Sequence, residues 1–307
     1  MENTNSNPIR NLDDLTFEEL TEFQEKITIK LEEMFKETEN PLNWAAKNGY
    51  IGVCKWLAKL PKDDLFMNKI YRDTSYPLNY AAEYNHLELV KWLYFNAHSI
   101  KAEFTSEYFD KNSQAICYAA REGHLQIVKW LTENTHLEKE EALAWASQGG
   151  HIDIVKYLYV YLKGEINKDI LSKMLEYACQ KGHLDVVKFI KNVCKNVEIT
   201  SDSLYMACQN GHIAIIKWLH KTKPELFKEC ETMKIAAFNN HIDVVIWLYW
   251  NTVLPSRQET KDIIELCKER NVLIVEWLNS HNSYYYRISK VLYTIKLKLR
   301  LEDEHNR

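Results

Sequence analysis

The chain has 307 residues, a formal net charge of -4, and 27% charged against 46% hydrophobic residues. So mild an acidic balance gives no global attraction to nucleic acid or to an anionic membrane surface. Seven scattered cysteines, an odd number, argue against a disulfide framework and for a reducing compartment, while no apolar run reaches the roughly 18 residues that span a bilayer.

In chain order, residues 1–10 are polar and read as a disordered tail without a hydrophobic signal region. Thr16 and Glu19 have capping-box spacing, and Phe17, Leu20, Phe23, Ile27, Leu31 and Met34 then recur at three- and four-residue steps. This pattern predicts an amphipathic helix over residues 16–36. Its other side is acidic (Glu18, Glu22, Glu25, Glu32, Glu33), as suits a helix shielding the open end of a repeat array.

From residue 40 the chain repeats itself. The stretch Ala81-Ala82-Glu83-Tyr84-Asn85-His86-Leu87-Glu88-Leu89-Val90-Lys91-Trp92-Leu93 returns in eight variants, aligned at Tyr50, His86, His124, His151, His183, His212, His241 and Asn271. The steps between them are 36, 38, 27, 32, 29, 29 and 30 residues, the range of a two-helix unit. In seven of the eight copies a first helix carries a pair of small residues that lets a neighbouring helix approach closely, and in the eighth Leu266 takes the first of the two places. Cys179, Cys208 and Cys267 stand at the second of those two positions and read as small buried residues. The stop residue is Gly49, Asn85, Gly123, Gly150, Gly182, Gly211, Asn240 or Arg270. Seven of these eight tolerate the left-handed backbone that ends many helices. The second helix is apolar over a wide arc, with Leu87, Leu89, Val90, Trp92 and Leu93 inside it and Glu88 and Lys91 outside, so it must meet more than one neighbour. Its aromatic column (Trp56, Trp92, Trp130, Tyr157, Phe189, Trp218, Trp247, Trp277) is expected to pack in the core or between repeats.

Tyr76-Pro77-Leu78-Asn79-Tyr80-Ala81-Ala82 followed by Asn85-His86-Leu87 resembles the ankyrin repeat, with its Thr-Pro-Leu-His-x-Ala-Ala helix start and Gly-His-Leu second helix. The resemblance covers about residues 40–280. It departs from the pattern where Asn43 and Asn79 replace the signature histidine, where Pro is missing after the second copy, and where the Gly-Ala-Asp-Val-Asn finger segment should stand. The Lys-Trp-Leu ending at Trp56, Trp92, Trp130 and Trp218, varied to Ile-Trp-Leu at Trp247, is similar to a divergent subfamily common in large DNA viruses and protists. The resemblance implies an all-α, ankyrin-like α-solenoid of about eight helix-turn-helix repeats with reduced β-hairpin fingers. Steps of 27 to 32 residues leave no room for full fingers, so longer connections are expected only around residues 58–75 and 94–112. The organisation is then a tail and capping helix over 1–39, repeats over 40–280, and a capping segment and tail over 281–307. In that last segment Tyr285, Ile288, Val291, Leu292 and Ile295 suit a helix, whereas residues 295–301 alternate like a strand.

The residue before the small pair is Trp44, Tyr80, Tyr118, Trp145 and Tyr177, then Met206, Ile235 and Glu265. In ankyrin-like folds this column faces the concave groove, so the five aromatics, with Arg121 three residues beyond Tyr118, are candidate partner-binding residues. Lys47, Glu83, Arg121 and Gln148 differ from copy to copy at that further position, whereas the packing positions do not.

Other chemistry finds no support. Equivalent histidines on helices about 8–10 Å apart cannot share a metal ion held at about 2 Å, so the histidine column reads as turn structure. No zinc-ligand spacing, phosphate loop, metalloprotease helix or nucleophile elbow occurs. No active site, cofactor or metal is therefore expected. The expectation is a non-catalytic scaffold or adaptor, which the subfamily resemblance extends to a viral or host-directed effector, monomeric, away from the membrane, in the cytoplasm (of a host cell if viral), with the nucleus open. Two alternatives stand beside it. One is a ubiquitin-ligase substrate adaptor recruiting through residues 12–36, which lack the Leu-Pro start of an F-box. The other is a nucleic-acid binder acting through Arg287, Lys290, Lys296, Lys298 and Arg300, which a helix would not gather on one face.

Overall fold

The computed structural model describes residues 41–58, 77–96, 113–163, 166–194, 197–228, 231–252, 255–269 and 271–281. The N-terminal helix over 16–36, the recruiting helix over 12–36 and the segment over 284–301 lie outside the described residues. So do residues 59–76 and 97–112, which hold most of the two longer connections.

Among the described residues there are sixteen α-helices, one 3-10 turn (Pro224–Phe227) and no strand. They come in eight pairs: α1 (Pro41–Asn48) and α2 (Ile51–Leu57); α3 (Pro77–Glu83) and α4 (Leu87–Asn96); α5 (Ala115–Glu122) and α6 (Leu125–Asn134); α7 (Lys139–Gly149) and α8 (Ile152–Tyr161). Then follow α9 (Lys168–Lys181) and α10 (Leu184–Val193); α11 (Ser201–Gln209) and α12 (Ile213–Thr222); α13 (Glu231–Phe238) and α14 (Ile242–Asn251); α15 (Arg257–Cys267) and α16 (Val272–His281). Residues 94–96, expected from the repeat spacing in a longer connection, instead complete α4. No described helix is long and apolar enough to cross a membrane.

The chain forms two compact units, residues 1–170 and 171–307. In the first, α1, α3, α5 and α7 pack in sequence, and α2, α4, α6 and α8 make a looser second row. The second unit repeats the scheme with α11, α13 and α15. The alanine pairs explain the closeness of the first row: Ala45, Ala46, Ala81, Ala82, Ala119, Ala120, Ala236 and Ala237 are wholly inaccessible. Helices that meet through methyl groups lie near the short end of the 8–10 Å range.

The looser second row decides which of the two expected places the aromatic column takes. Trp56 is buried at 3% exposure, but Trp92, Trp130, Tyr157, Phe189, Trp218, Trp247 and Trp277 are half-buried. The fully enclosed place belongs to the next residue, as at Leu93, Leu131, Leu158, Leu219 and Leu248. The indoles fill the seam between consecutive second helices, which is too wide to close over them. Trp130 meets Tyr94 and Phe95 of the preceding pair, each at 5.9 Å between centroids. Trp247 meets His220 at 5.3 Å and Trp277 meets Tyr249 at 5.1 Å, all nearly edge-to-face.

Candidate functional site

The interhelix turns fix where each first helix points. Gly49, Gly123, Gly150, Gly182 and Gly211 have φ between 75° and 88°, and Asn85 and Asn240 stand at 66° and 63°. The next backbone N–H returns to the first alanine carbonyl, as in His86 N to Ala81 O and His212 N to Ala207 O, both 2.9 Å. This six-residue closure satisfies a carbonyl that the helix end would otherwise leave open.

The histidines join one repeat to the one before. Nε2–H donates to a backbone carbonyl of the preceding pair: His86 to Lys47 (2.9 Å), His124 to Glu83 (2.8 Å), His212 to Gln180 (2.8 Å) and His241 to Gln209 (2.9 Å). Because a carbonyl only accepts, Nε2 carries the proton in each. Asn271 keeps the function with a shorter arm, its Nδ2 donating to the carbonyls of Ala237 (2.6 Å) and Phe238 (3.3 Å). The rings rest on the glycines of the preceding turn. A Cβ at Gly182 would lie 2.6 Å from His212 Nδ1, and one at Gly49 or Gly211 would overlap His86 or His241. The turn glycine thus serves twice, once for its φ and once as a seat for the following ring. Gly149 is a separate case, since a Cβ there would run into the Arg121 carbonyl, and α7 can settle on α5 only without one. Asn79 also bridges repeats: its Oδ1 accepts from Ser113 Oγ (2.6 Å) and Gln114 N (3.1 Å) at the start of α5.

On this frame, all five candidate aromatics are half-buried. Trp44, Tyr80, Tyr118 and Trp145 lie on the first helices of the first unit, and Tyr177 lies in the second. Helical spacing places them away from the buried alanines. Tyr118 and Trp145 come together, ring centroids 5.2 Å apart and edge-to-face. The Arg121 guanidinium lies over both, 5.2 Å from the Tyr118 centroid and 5.3 Å from that of Trp145. Its Nη2 donates to Glu83 Oε1 and its Nε to Glu122 Oε1, both at 2.7 Å. Partial burial opposes the charge, but the hydrogen bond to Glu122 and the charges of Glu122 and Glu83 outweigh it and raise the pKa further. Four side chains from α3, α5 and α7 are thereby held around one cation. Trp44 meets Tyr50 at 5.2 Å instead, and the Lys47 ammonium lies 5.5 Å over the Tyr84 ring.

The candidate column overlooks part of the second unit's surface. There the positions before the small pair are Met206 and Ile235, half-buried, but Tyr205 and Phe238 beside them are 43% and 45% exposed. Phe238 stands three residues after Ile235, as Arg121 does after Tyr118, so reading that second column for large apolar residues would have found it. Among the described residues no cluster of His, Cys, Asp and Glu could hold a metal ion. Burial pushes the thiols of Cys117, Cys179 and Cys208 up to about 12, leaving them unreactive at neutral pH.

No curated protein matches the chain. The family model described as ankyrin repeats (3 copies) matches residues 14–104, 78–174, 116–202 and 175–258. The matched region begins at residue 14, inside the segment over 1–39 read as a tail and capping helix, and ends before α16 completes the eighth pair. With most of its length covered, the chain belongs to the ankyrin-repeat family, whose repeats generally mediate protein–protein interaction.

Proposed function

We propose that the chain is a non-catalytic scaffold or adaptor that holds a protein partner on the exposed side of α3, α5 and α7. The observation that carries this reading is the cluster of Tyr118, Trp145 and Arg121, braced by Glu83 and Glu122. Half-exposed Trp, Tyr and Arg are the side chains most enriched among interface hot spots. Their contacts restrict the rotamers before a partner arrives, which lowers the entropy lost on binding. The closer packing of first helices than of second helices is also what an inward-curving face requires. Thiols buried without disulfides among the described residues suit a reducing, intracellular site of action. Host-directed action as an effector is compatible with this face and adds nothing to its chemistry.

Proximity labelling in the native cell tests the reading, comparing the parent chain with Tyr80→Ala, Tyr118→Ala and Trp145→Ala. These variants should lose a discrete set of labelled proteins while melting within a few degrees of the parent. An unchanged labelling pattern, or a collapse in melting temperature without selective loss, refutes it.

A further inference from the structure

We infer that the second unit carries its own contact surface, built from Tyr205 and Met206 of α11 and Ile235 and Phe238 of α13, which accepts the uncharged apolar stripe of a partner helix. The inference rests on the reading of the first helices as the interaction side and assigns a partner chemistry to this part of it.

The two helices pack directly on each other. Their buried sides are Leu204, Ala207 and Cys208 on α11 and Met233, Ala236 and Ala237 on α13, each at most 2% exposed. Helical spacing turns Met206, Ile235 and Phe238 away from that side, with Tyr205 at its border. Tyr205 and Phe238 nevertheless keep 43% and 45% of their surface in water. The corresponding positions in the first unit hold Lys47, Glu83, Arg121 and Gln148, so an exposed phenylalanine here departs from the chain's own pattern.

Charge decides between classes of partner. None of the four residues is charged, and of the neighbouring charges Lys234 pairs with Glu231 at 3.4 Å and Lys268 with Glu265 at 3.6 Å, while the exposed Asp202 stands one turn before Met206 at the edge of the surface. A charged segment placed here would be desolvated without compensation, whereas an apolar one matches the surface. Spacing decides the shape. Anchors on adjacent first helices are separated by one interhelix step, roughly 8–10 Å. One face of an α-helix presents side chains at i and i+7 about 10.5 Å apart, with i+3 and i+4 filling between them.

A display library of random 15-residue peptides selected on the immobilised full chain tests this. The enriched peptides should carry uncharged apolar residues at i, i+3 or i+4, and i+7. Fluorescence anisotropy of a synthesised winner should show at least about tenfold weaker binding to Phe238→Asp and to Tyr205→Ala, and unchanged binding to Trp145→Ala. If Phe238→Asp perturbs the far-UV circular dichroism, Phe238→Ala replaces it. Failure to enrich any peptide, enrichment of charged sequences or of apolar ones without that spacing, or binding indifferent to both substitutions overturns the inference. Labelling that still responds to Trp145→Ala would then leave the interaction reading standing, and labelling that does not would remove both.

Discussion

Gly182→Ala tests the double use of the turn glycine most directly. At φ +88° an alanine costs about 1–2 kcal/mol for its left-handed backbone alone. Its Cβ would also lie 2.6 Å from His212 Nδ1 and 2.8 Å from Cε1, so the ring must leave its seat. Displacement lengthens or breaks the 2.8 Å bond from Nε2 to the Gln180 carbonyl, a net loss of about 0.5–1.5 kcal/mol. The single substitution should therefore destabilise by about 2–3 kcal/mol. In a His212→Ala background no ring remains to displace, and the same substitution should cost only its backbone share, leaving a coupling of about 1 kcal/mol. Urea denaturation of the four proteins of this cycle, followed by far-UV circular dichroism, measures it. Equal costs of Gly182→Ala in the two backgrounds would show that the ring is not seated on the glycine.

Trp56→Ala should cost about 3–5 kcal/mol because that ring is enclosed, whereas Trp92→Ala and Trp247→Ala should cost clearly less, as denaturant midpoints will show. Leu266 occupies the place of the first alanine and is 46% exposed. Leu266→Ala should let α15 settle more closely on α13 and slow amide exchange across α15 and α16, and faster exchange contradicts that account. Cys117, Cys179 and Cys208 are raised from 9.0 to about 12 by burial, so the folded state favours their protonated form. Stability from these groups is complete below pH 9, where the unfolded thiols are also protonated, and is lost as pH rises from 9 towards about 12. A stability that stays flat across that interval argues against enclosed thiols. In native protein at pH 8, iodoacetamide should modify the half-buried Cys194 well before these three, as mass spectrometry can establish.

The pairing of helices, the placing of their turns and the burial of the alanines were legible in the residues themselves. Period, backbone tolerance and side-chain volume are properties a residue carries wherever it stands: Ala81-Ala82 permits close approach, and Gly123 or Asn85 permits a positive φ. Distances between consecutive helices are not local, and they decided the rest. The second helices stand far enough apart to leave most of the tryptophan column half-buried between repeats, an exposure that volume and hydrophobicity alone do not set. The first helices stand close enough to bring Arg121 over the rings of Tyr118 and Trp145 from two different repeats, and to set the His212 ring on Gly182. Tyr205 stayed hidden in the sequence for the same reason, because an apolar side chain on a helix looks like core until its neighbours are in place and leave it exposed.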